Sequence, residues 1–149
     1  MEKESGFRMP TYMEIPDVGL YLEQMTKFVS ECLSPLECVS ITGSMISNYV
    51  KKDLVRNPVK KQYYRDQIAD VLFIAVTKTV LSLEQVQLLL QKQRESESKE
   101  AYECFCRLLE HALSGEQGSP EEKEELLQMV LTAFAQKLAL DRAFAQQKG

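Results

Sequence analysis

The chain has 149 residues, of which 44% are hydrophobic and 27% charged, a size that suits one domain or one small domain with an appendage. This balance excludes wholesale disorder, collagen-like repeats and low-complexity architecture, and six glycines with five prolines are too few for a turn-rich β-sandwich. The most apolar run, 71–76, is too short to cross a bilayer, and the first six residues contain no apolar signal region. We therefore expect a cytoplasmic protein whose four cysteines are reduced thiols.

The net charge of −4 is unevenly distributed along the chain. The segment from Ile41 to Arg65 contains six basic residues and one acidic residue, Asp53, so it carries +5 and the rest of the chain −9. Such a segment can be ordinary solvated surface, but the concentration of basic residues in one segment of an acidic protein favours contact with nucleic acid. Its basic residues are Lys51, Lys52, Arg56, Lys60, Lys61 and Arg65.

The beginning of the chain predicts an irregular arm followed by a helix. Two prolines break any helix over residues 1–16, and Asp17 is placed to cap the next segment. Apolar residues then recur at helical spacing, which predicts an amphipathic helix over 18–33. The segment Ser34–Glu37 has the pattern of a capping box, which favours either one short turn or a structured connector.

Capping residues and apolar periodicity predict helices through the rest of the chain. Thr42, Ser82 and Ser119 are the expected N-caps, and the last is followed by Pro and two glutamates. Residues 53–62 contain Asn57-Pro58 and little apolar matter, which indicates a loop or a short hairpin. The predicted helices cover 43–52, 66–79, 83–92, 101–113 and 120–146.

Residues 91–100 contain no apolar side chain and are the best candidate for a boundary. They indicate a solvated linker or a polar extension of the preceding helix. No stretch shows convincing β alternation, and no internal repeat is evident. The predicted fold class is therefore mostly α.

The order of helix, connector, short polar-faced helix and basic loop is typical of a helix-turn-helix followed by a wing. In the helix over 43–52 we expect Ile46, Tyr49 and Val50 to face inward. Asparagine can make paired hydrogen bonds to adenine in the major groove, and serine can bond base edges or phosphates, although Asn48 can equally be a solvated helix residue. The expected outward residues are Ser44, Ser47, Asn48, Lys51 and Lys52.

Several segments resemble MerR-type regulators. Residues 41–55 look like their second helix, 61–63 like the end of their wing, and 68–78 and 80–89 like the two helices that follow. The run Thr-Gly-Ser-Met-Ile-Ser-Asn-Tyr-Val-Lys and the Lys-Lys-Gln-Tyr segment are most similar to an uncharacterised bacterial family with a MerR-like core. The resemblance covers roughly residues 10–92, about half the chain.

The resemblance implies a winged helix-turn-helix that binds double-stranded DNA, usually as a dimer. By position, 43–52 is the recognition helix, Tyr49 matches a tyrosine that packs against or touches the DNA backbone, and Tyr63 matches the tyrosine that closes the wing. Both tyrosines can equally be core or wing-packing residues. The implied organisation is an N-terminal arm over 1–16, the DNA-binding domain over 17–92, and a helical dimerisation or effector region over 93–149, arranged as a helical hairpin.

The chain also departs from the MerR pattern. Ser47 stands where typical members have a phosphate-binding arginine, Asp53 replaces a turn glycine, and Lys61 replaces a wing arginine. Residues 99–149 predict two helices instead of one long dimerisation helix. Neither the promoter-distorting mechanism nor an effector is therefore carried over from that family.

No feature of the sequence indicates catalysis, metal binding or a cofactor. Cys104 and Cys106 are two residues apart, so on a helix they point in different directions, and Cys32 and Cys38 lack a zinc spacing. All four predict core or half-buried thiols. His111 is the only histidine in the sequence, and we expect it to lie on the surface. We expect a protein that is not an enzyme.

The last helix is apolar on two sides, and both must be buried. One side contains Leu127, Val130, Leu131, Phe134 and Leu138, and the other Ala133, Leu140, Ala143 and Phe144. Core packing would bury both sides, but we favour a homodimer because symmetric regulators gain affinity from two half-sites.

The function predicted from the sequence is sequence-specific DNA binding, and hence transcriptional regulation. The alternatives are a helical interaction module for an acidic protein partner, and a small-molecule sensor with its ligand between the helices of Phe105 and Phe134. The predicted DNA-binding residues are Ser44, Ser47, Asn48, Tyr49, Lys51, Lys52, Arg56, Lys60, Lys61, Tyr63 and Arg65.

Overall fold

The computed structural model of the protein describes residues 6–115 and 124–148. Within these ranges the chain forms six α-helices and no β-strand, so the predicted mostly α fold is confirmed. A single turn of 3-10 helix, Tyr12–Glu14, precedes them. The helices are α1 (Leu22–Leu33), α2 (Gly43–Lys51), α3 (Arg65–Thr77), α4 (Leu83–Gln93), α5 (Ser98–Ser114) and α6 (Glu125–Lys148).

Two of the predicted helix caps are confirmed. The Thr42 hydroxyl accepts a hydrogen bond from the Met45 amide at 3.2 Å and starts α2. The Ser82 hydroxyl accepts from the Gln85 amide at 3.1 Å, while the Gln85 side chain accepts from the Ser82 amide at 3.0 Å. These bonds satisfy amides that a helix start leaves without partners. The start predicted at Ser119 lies outside the described residues.

Asp17 does not cap the first helix, which begins at Leu22 and not at 18. Its carboxylate instead accepts a hydrogen bond from the Arg65 amide at 3.0 Å, at the first residue of α3. The Gln24 side chain accepts from the Tyr21 amide at 2.9 Å and so closes the start of α1. The sequence prediction was wrong here because the partner of Asp17 is distant in the chain.

The N-terminal arm is part of the folded core. Met9 and Ile15 are buried, and the Met9 amide donates to a carboxylate oxygen of Glu110 at 3.0 Å. The Tyr102 hydroxyl donates to the Pro10 carbonyl at 2.7 Å. Since Tyr102 and Glu110 belong to α5, the arm connects the first helices to the C-terminal pair.

The central element is α3, in which ten of 13 residues are buried. One continuous cluster of buried side chains extends from the arm through α3 to α6. The polar stretch predicted as a boundary contains only a short turn, 94–97, between α4 and α5. Arg94 of this turn donates to the Leu54 carbonyl at 2.9 Å and to an oxygen of Asp70 at 3.1 Å. The turn is thus attached to α3 and to the loop before it.

The last two helices pack against each other along their apolar faces, with Phe105 of α5 and Phe134 of α6 fully buried. The second apolar side of α6 is open instead: Met129, Leu140 and Phe144 are 68%, 55% and 67% exposed. In the described part of the chain, every helix is too short or too polar to span a membrane.

Candidate nucleic-acid interface

The exposed face of α2 is polar, as its sequence pattern predicts. Ile46 and Tyr49 are buried, and Val50 is partly buried, so the apolar residues face the core. Because residues three and four apart share one side of a helix, the polar residues form a continuous face. Its exposed members are Ser44, Ser47, Asn48 and Lys51, and Lys52 extends it beyond the helix end.

The start of α2 lies against the first turns of α1. A Cβ atom at Gly43 would lie 3.5 Å from Leu22 Cδ2 and 3.8 Å from Thr26 Oγ1. This contact is ordinary van der Waals packing, so α1 supports the end of α2 that carries Ser44.

The predicted loop or short hairpin contains a tight turn that presents two lysines. Val59 and Gln62 exchange two backbone hydrogen bonds of 3.0 and 2.9 Å around it. Lys60 and Lys61, at its tip, have φ angles of +52° and +68°. Two-residue hairpin turns of this kind require positive φ at both positions and favour Asn-Gly, so two lysines there are strained. We call Val59–Gln62 the lysine turn.

The lysine turn lies beside the same end of α1. A shallow groove is lined on one side by Tyr21, Leu22 and Glu23, and on the other by Pro58 and Lys61. Leu22 therefore borders both the start of α2 and the lysine turn. This shared neighbour places the start of α2 and the lysine turn beside the same end of α1.

The loop between α2 and the lysine turn is anchored from the core side. Asp53 has a φ of +61°, a conformation that Asp tolerates better than most residues. The Gln67 amide group donates to the carbonyls of Arg56 and Asn57 at 3.1 and 2.9 Å. The backbone at Arg56 is thus held, while its side chain is exposed.

Arg65 is the basic residue that the structure separates from the others. Its Nε donates to the Ile15 carbonyl at 3.0 Å, and its guanidinium lies 3.5 Å from Asp17 and 5.3 Å from the ring centre of Tyr12. The side chain is only 18% exposed, so it holds the arm and is not available for a phosphate. Its predicted place among the DNA contacts is corrected for that reason.

Tyr49 and Tyr63 are core residues with 3% and 5% exposure. The inward direction expected for Tyr49 is confirmed, and the predicted place of both tyrosines among the DNA contacts is corrected. Burial raises the pKa of Tyr49 to about 12, and its hydroxyl has no hydrogen-bond partner among the described residues. The Lys78 ammonium lies 5.8 Å from the Tyr49 ring centre and 3.1 Å from the sulfur of Met45. Tyr49 therefore supports the surface from below, and Tyr63 reaches it only as part of the groove wall beside Lys61.

Glu23 and Lys78 are the charged residues near this surface that sequence reasoning missed. Glu23 brings a carboxylate to the groove beside Lys61. Lys78 lies at the end of α3, where burial lowers the pKa of its ammonium group. Both reach the site through tertiary packing, and no local pattern in the sequence signals either of them.

The cysteines are half-buried, as predicted. Burial raises the pKa of Cys32 and Cys104 to about 11 and that of Cys106 to about 12, so all three are protonated at neutral pH. Across the described residues, no group of three or more His, Cys, Asp or Glu side chains is arranged to hold a metal ion.

A family match covers residues 10–105, more than half of the chain, and the family is described as a domain of unknown function, DUF1836. The chain therefore belongs to this family. The matched residues run from the arm to the middle of α5 and contain α2, the lysine turn and the arginines that follow α2. No curated protein and no solved structure shows significant similarity to the chain.

Proposed function

We propose that the protein is a sequence-specific DNA-binding transcriptional regulator with a MerR-like winged helix-turn-helix. In this proposal α2 is the recognition helix and enters the major groove, and the lysine turn is the tip of the wing. The observation that carries it is the position of Leu22, which borders both α2 and the lysine turn. The interface consists of Ser44, Ser47, Asn48, Lys51, Lys52, Arg56, Lys60 and Lys61, which we call the basic surface.

The chemistry of the basic surface suits a DNA duplex. Asn48 and the two serines are exposed on one face of a short helix, where they can reach base edges. The five cations that flank them can neutralise phosphates and release counterions. The strain at Lys60 and Lys61 further supports a functional turn, since unfavourable backbone geometry persists mainly where function requires it.

The decisive experiment is selection of bound duplexes from a random pool with the purified protein, followed by a salt titration on the enriched sequence. DNA binding predicts an enriched motif and a logarithmic affinity that falls with salt at a slope of about −0.9 per phosphate neutralised. A sequence-blind and salt-independent result would contradict the proposal. It would favour the alternative, a module that binds an acidic protein.

Variants distinguish residues that position the protein on the DNA backbone from residues that read the base sequence. Lys60→Glu with Lys61→Glu should weaken binding to all duplexes similarly, because phosphate contacts carry no sequence information. Asn48→Ala should change the preference among sequences, with a loss of about 1–3 kcal/mol at one base pair. A matched control is Lys92→Glu with Lys99→Glu, which makes the same charge change at the end of α4 and the start of α5. This control should bind duplexes much as the wild type does.

We also propose that the regulator is a homodimer through α6. Its open side carries exposed residues spaced three, four or seven apart, a pattern that pairs helices across an apolar seam. Light scattering should give twice the chain mass, and Leu140→Glu with Phe144→Glu should give a monomer. Thr132→Glu with Ala139→Glu changes exposed positions outside the seam and should remain dimeric. The seam residues are Leu126, Met129, Ala133, Leu140 and Phe144.

A further inference from the structure

A cavity of about 290 Å³ lies between α3, the 94–97 turn and the start of α5. Phe73 and Phe105 form its apolar wall, with ring centres 5.0 Å apart in an edge-to-face arrangement. Two carboxylates of α3 also line it, and they lie four residues apart and therefore on one side of the helix. The charged lining residues are Arg56, Asp66, Asp70 and Arg94.

The charged groups of this cavity are only partly satisfied by the protein. One oxygen of Asp70 accepts from Arg94 at 3.1 Å, and one oxygen of Asp66 accepts from the Tyr12 hydroxyl at 2.6 Å. Among the described residues, the second oxygen of each carboxylate has no hydrogen-bond partner, and neither has the Arg56 guanidinium. Burial raises the pKa of Asp70 even though Arg94 and Arg56 act in the opposite direction, so a further cation beside this carboxylate would stabilise its charged form.

We propose that this cavity binds a small zwitterion that carries an ammonium and a carboxylate group, of which a free amino acid is the simplest form. The ammonium group lies between Asp66 and Asp70, the carboxylate pairs with Arg56, and the hydrocarbon part packs on Phe73. Ligand sites for drug-sized molecules begin at about 300 Å³, so the cavity suits a molecule of amino-acid size. A purely cationic ligand would leave Arg56 unpaired, and a purely anionic one would meet the two carboxylates.

The cavity and the basic surface share Arg56, and they are also connected through the backbone. Arg94 joins Asp70 to the Leu54 carbonyl, and Gln67 of α3 holds the carbonyl of Arg56. A ligand that pairs with Asp70 and Arg56 therefore acts on both attachments of the loop that leads to the lysine turn. The expectation that occupancy alters duplex binding rests on the proposed function, whereas ligand binding itself does not.

Thermal unfolding of the full chain without DNA tests the site, with each of the twenty amino acids added separately at millimolar concentration. At least one should raise the Tm, because a ligand that binds only the folded state stabilises it. Its amide and its decarboxylated amine, each of which lacks the carboxylate charge, should bind at least about tenfold more weakly, the loss expected for one charge-assisted hydrogen bond. No rise with any amino acid would overturn the proposal.

Variants place the ligand. Asp70→Asn, Arg56→Gln and Ala101→Leu, which narrows the cavity, should each weaken binding at least about tenfold, while the exposed Arg8→Gln should not change it. A Tm rise that persists in all three cavity variants would place the ligand elsewhere and overturn the assignment. Duplex affinity is then measured with and without the amino acid. If no duplex is ever selected, only the proposed function fails; if a duplex binds with unchanged affinity, the coupling fails.

Discussion

Leu20 and Tyr63 exchange two backbone hydrogen bonds, of 2.7 Å from the Tyr63 amide and 2.9 Å from the Leu20 amide. This antiparallel bridge joins the segment before α1 to the residue that follows the lysine turn. The turn is therefore fixed to the segment before the first helix by backbone bonds, which any residue except proline can make at these two positions. Gly19, which precedes Leu20, tolerates substitution less well, since it has a φ of +86° and packs closely against Tyr64.

Replacing Gly19 with alanine should destabilise the protein and loosen the lysine turn. The new Cβ would lie 2.9 Å from the Tyr64 hydroxyl and 3.1 Å from Gln62, in addition to the cost of positive φ. Gly115 is a matched control, because its φ is +82° but no atom of the described residues lies within 4 Å of its Cβ position. In urea unfolding, we expect Gly115→Ala to cost about 1 kcal/mol and Gly19→Ala about 2 kcal/mol or more. Equal costs would contradict the close packing.

Substitutions at Arg65 and Arg56 should separate effects on folding stability from effects on duplex affinity. Arg65→Gln removes a partly buried guanidinium that holds the arm, so the free energy of unfolding should fall by about 2 kcal/mol. Arg56→Gln makes the same charge change at an exposed side chain and should leave the stability within about 0.5 kcal/mol of the wild type. Duplex affinity should show the opposite order at a temperature where both variants are folded. Similar losses of duplex affinity in the two variants would show that Arg65 belongs to the interface and would contradict this prediction.

Tyr49→Phe should be neutral or stabilising, by up to about 1 kcal/mol, because the hydroxyl is buried without a partner in the described structure. The ring remains to fill the core, so duplex affinity should not change. Tyr49→Ala serves as the contrast and should cost about 3–5 kcal/mol through the cavity it leaves. Chemical denaturation measures both, and a fall in affinity with Tyr49→Phe at full stability would show that the hydroxyl touches DNA.

Lys60→Asn with Lys61→Gly should raise stability and weaken duplex binding. Asn and Gly accept the positive φ of both positions, and relief of the strain should contribute about 1–2 kcal/mol. Lys60→Gln with Lys61→Gln removes the same charges but keeps the strain. Both pairs should therefore lose affinity, whereas only the first should gain Tm. A gain in Tm with the glutamines would point to charge repulsion instead of backbone strain.

Asp70→Asn should stabilise the protein more at neutral pH than in acid. Burial raises the pKa of Asp70 above its ordinary value of 3.8, so the folded state takes up this proton more readily than the unfolded chain. The stability linked to that proton is present at low pH and is lost as the pH rises through the folded pKa. We expect the variant to be more stable than the wild type at about pH 7, with a smaller difference at about pH 4. Urea unfolding at both pH values checks this, and a difference that grows in acid would contradict it.

The features that the sequence alone determined are local. Thr42 and Ser82 cap helices through amides three residues away, and the polar face of α2 follows from its 3.6-residue period. The buried apolar face of α6 follows from the same periodicity. Each of these depends on neighbours within one or two turns, which the order of residues specifies directly.

The tertiary structure decided what depends on distant partners. Asp17 faces both an amide and a guanidinium at Arg65, 48 residues away, and so neither residue serves the role that its local pattern indicates. The burial of Tyr49 and Tyr63, the place of Leu22 between two surface elements, and the cavity beside Asp70 likewise arise when α3 becomes the centre of the core. Periodicity shows which side of a helix is apolar, but long-range packing determines which neighbours cover it.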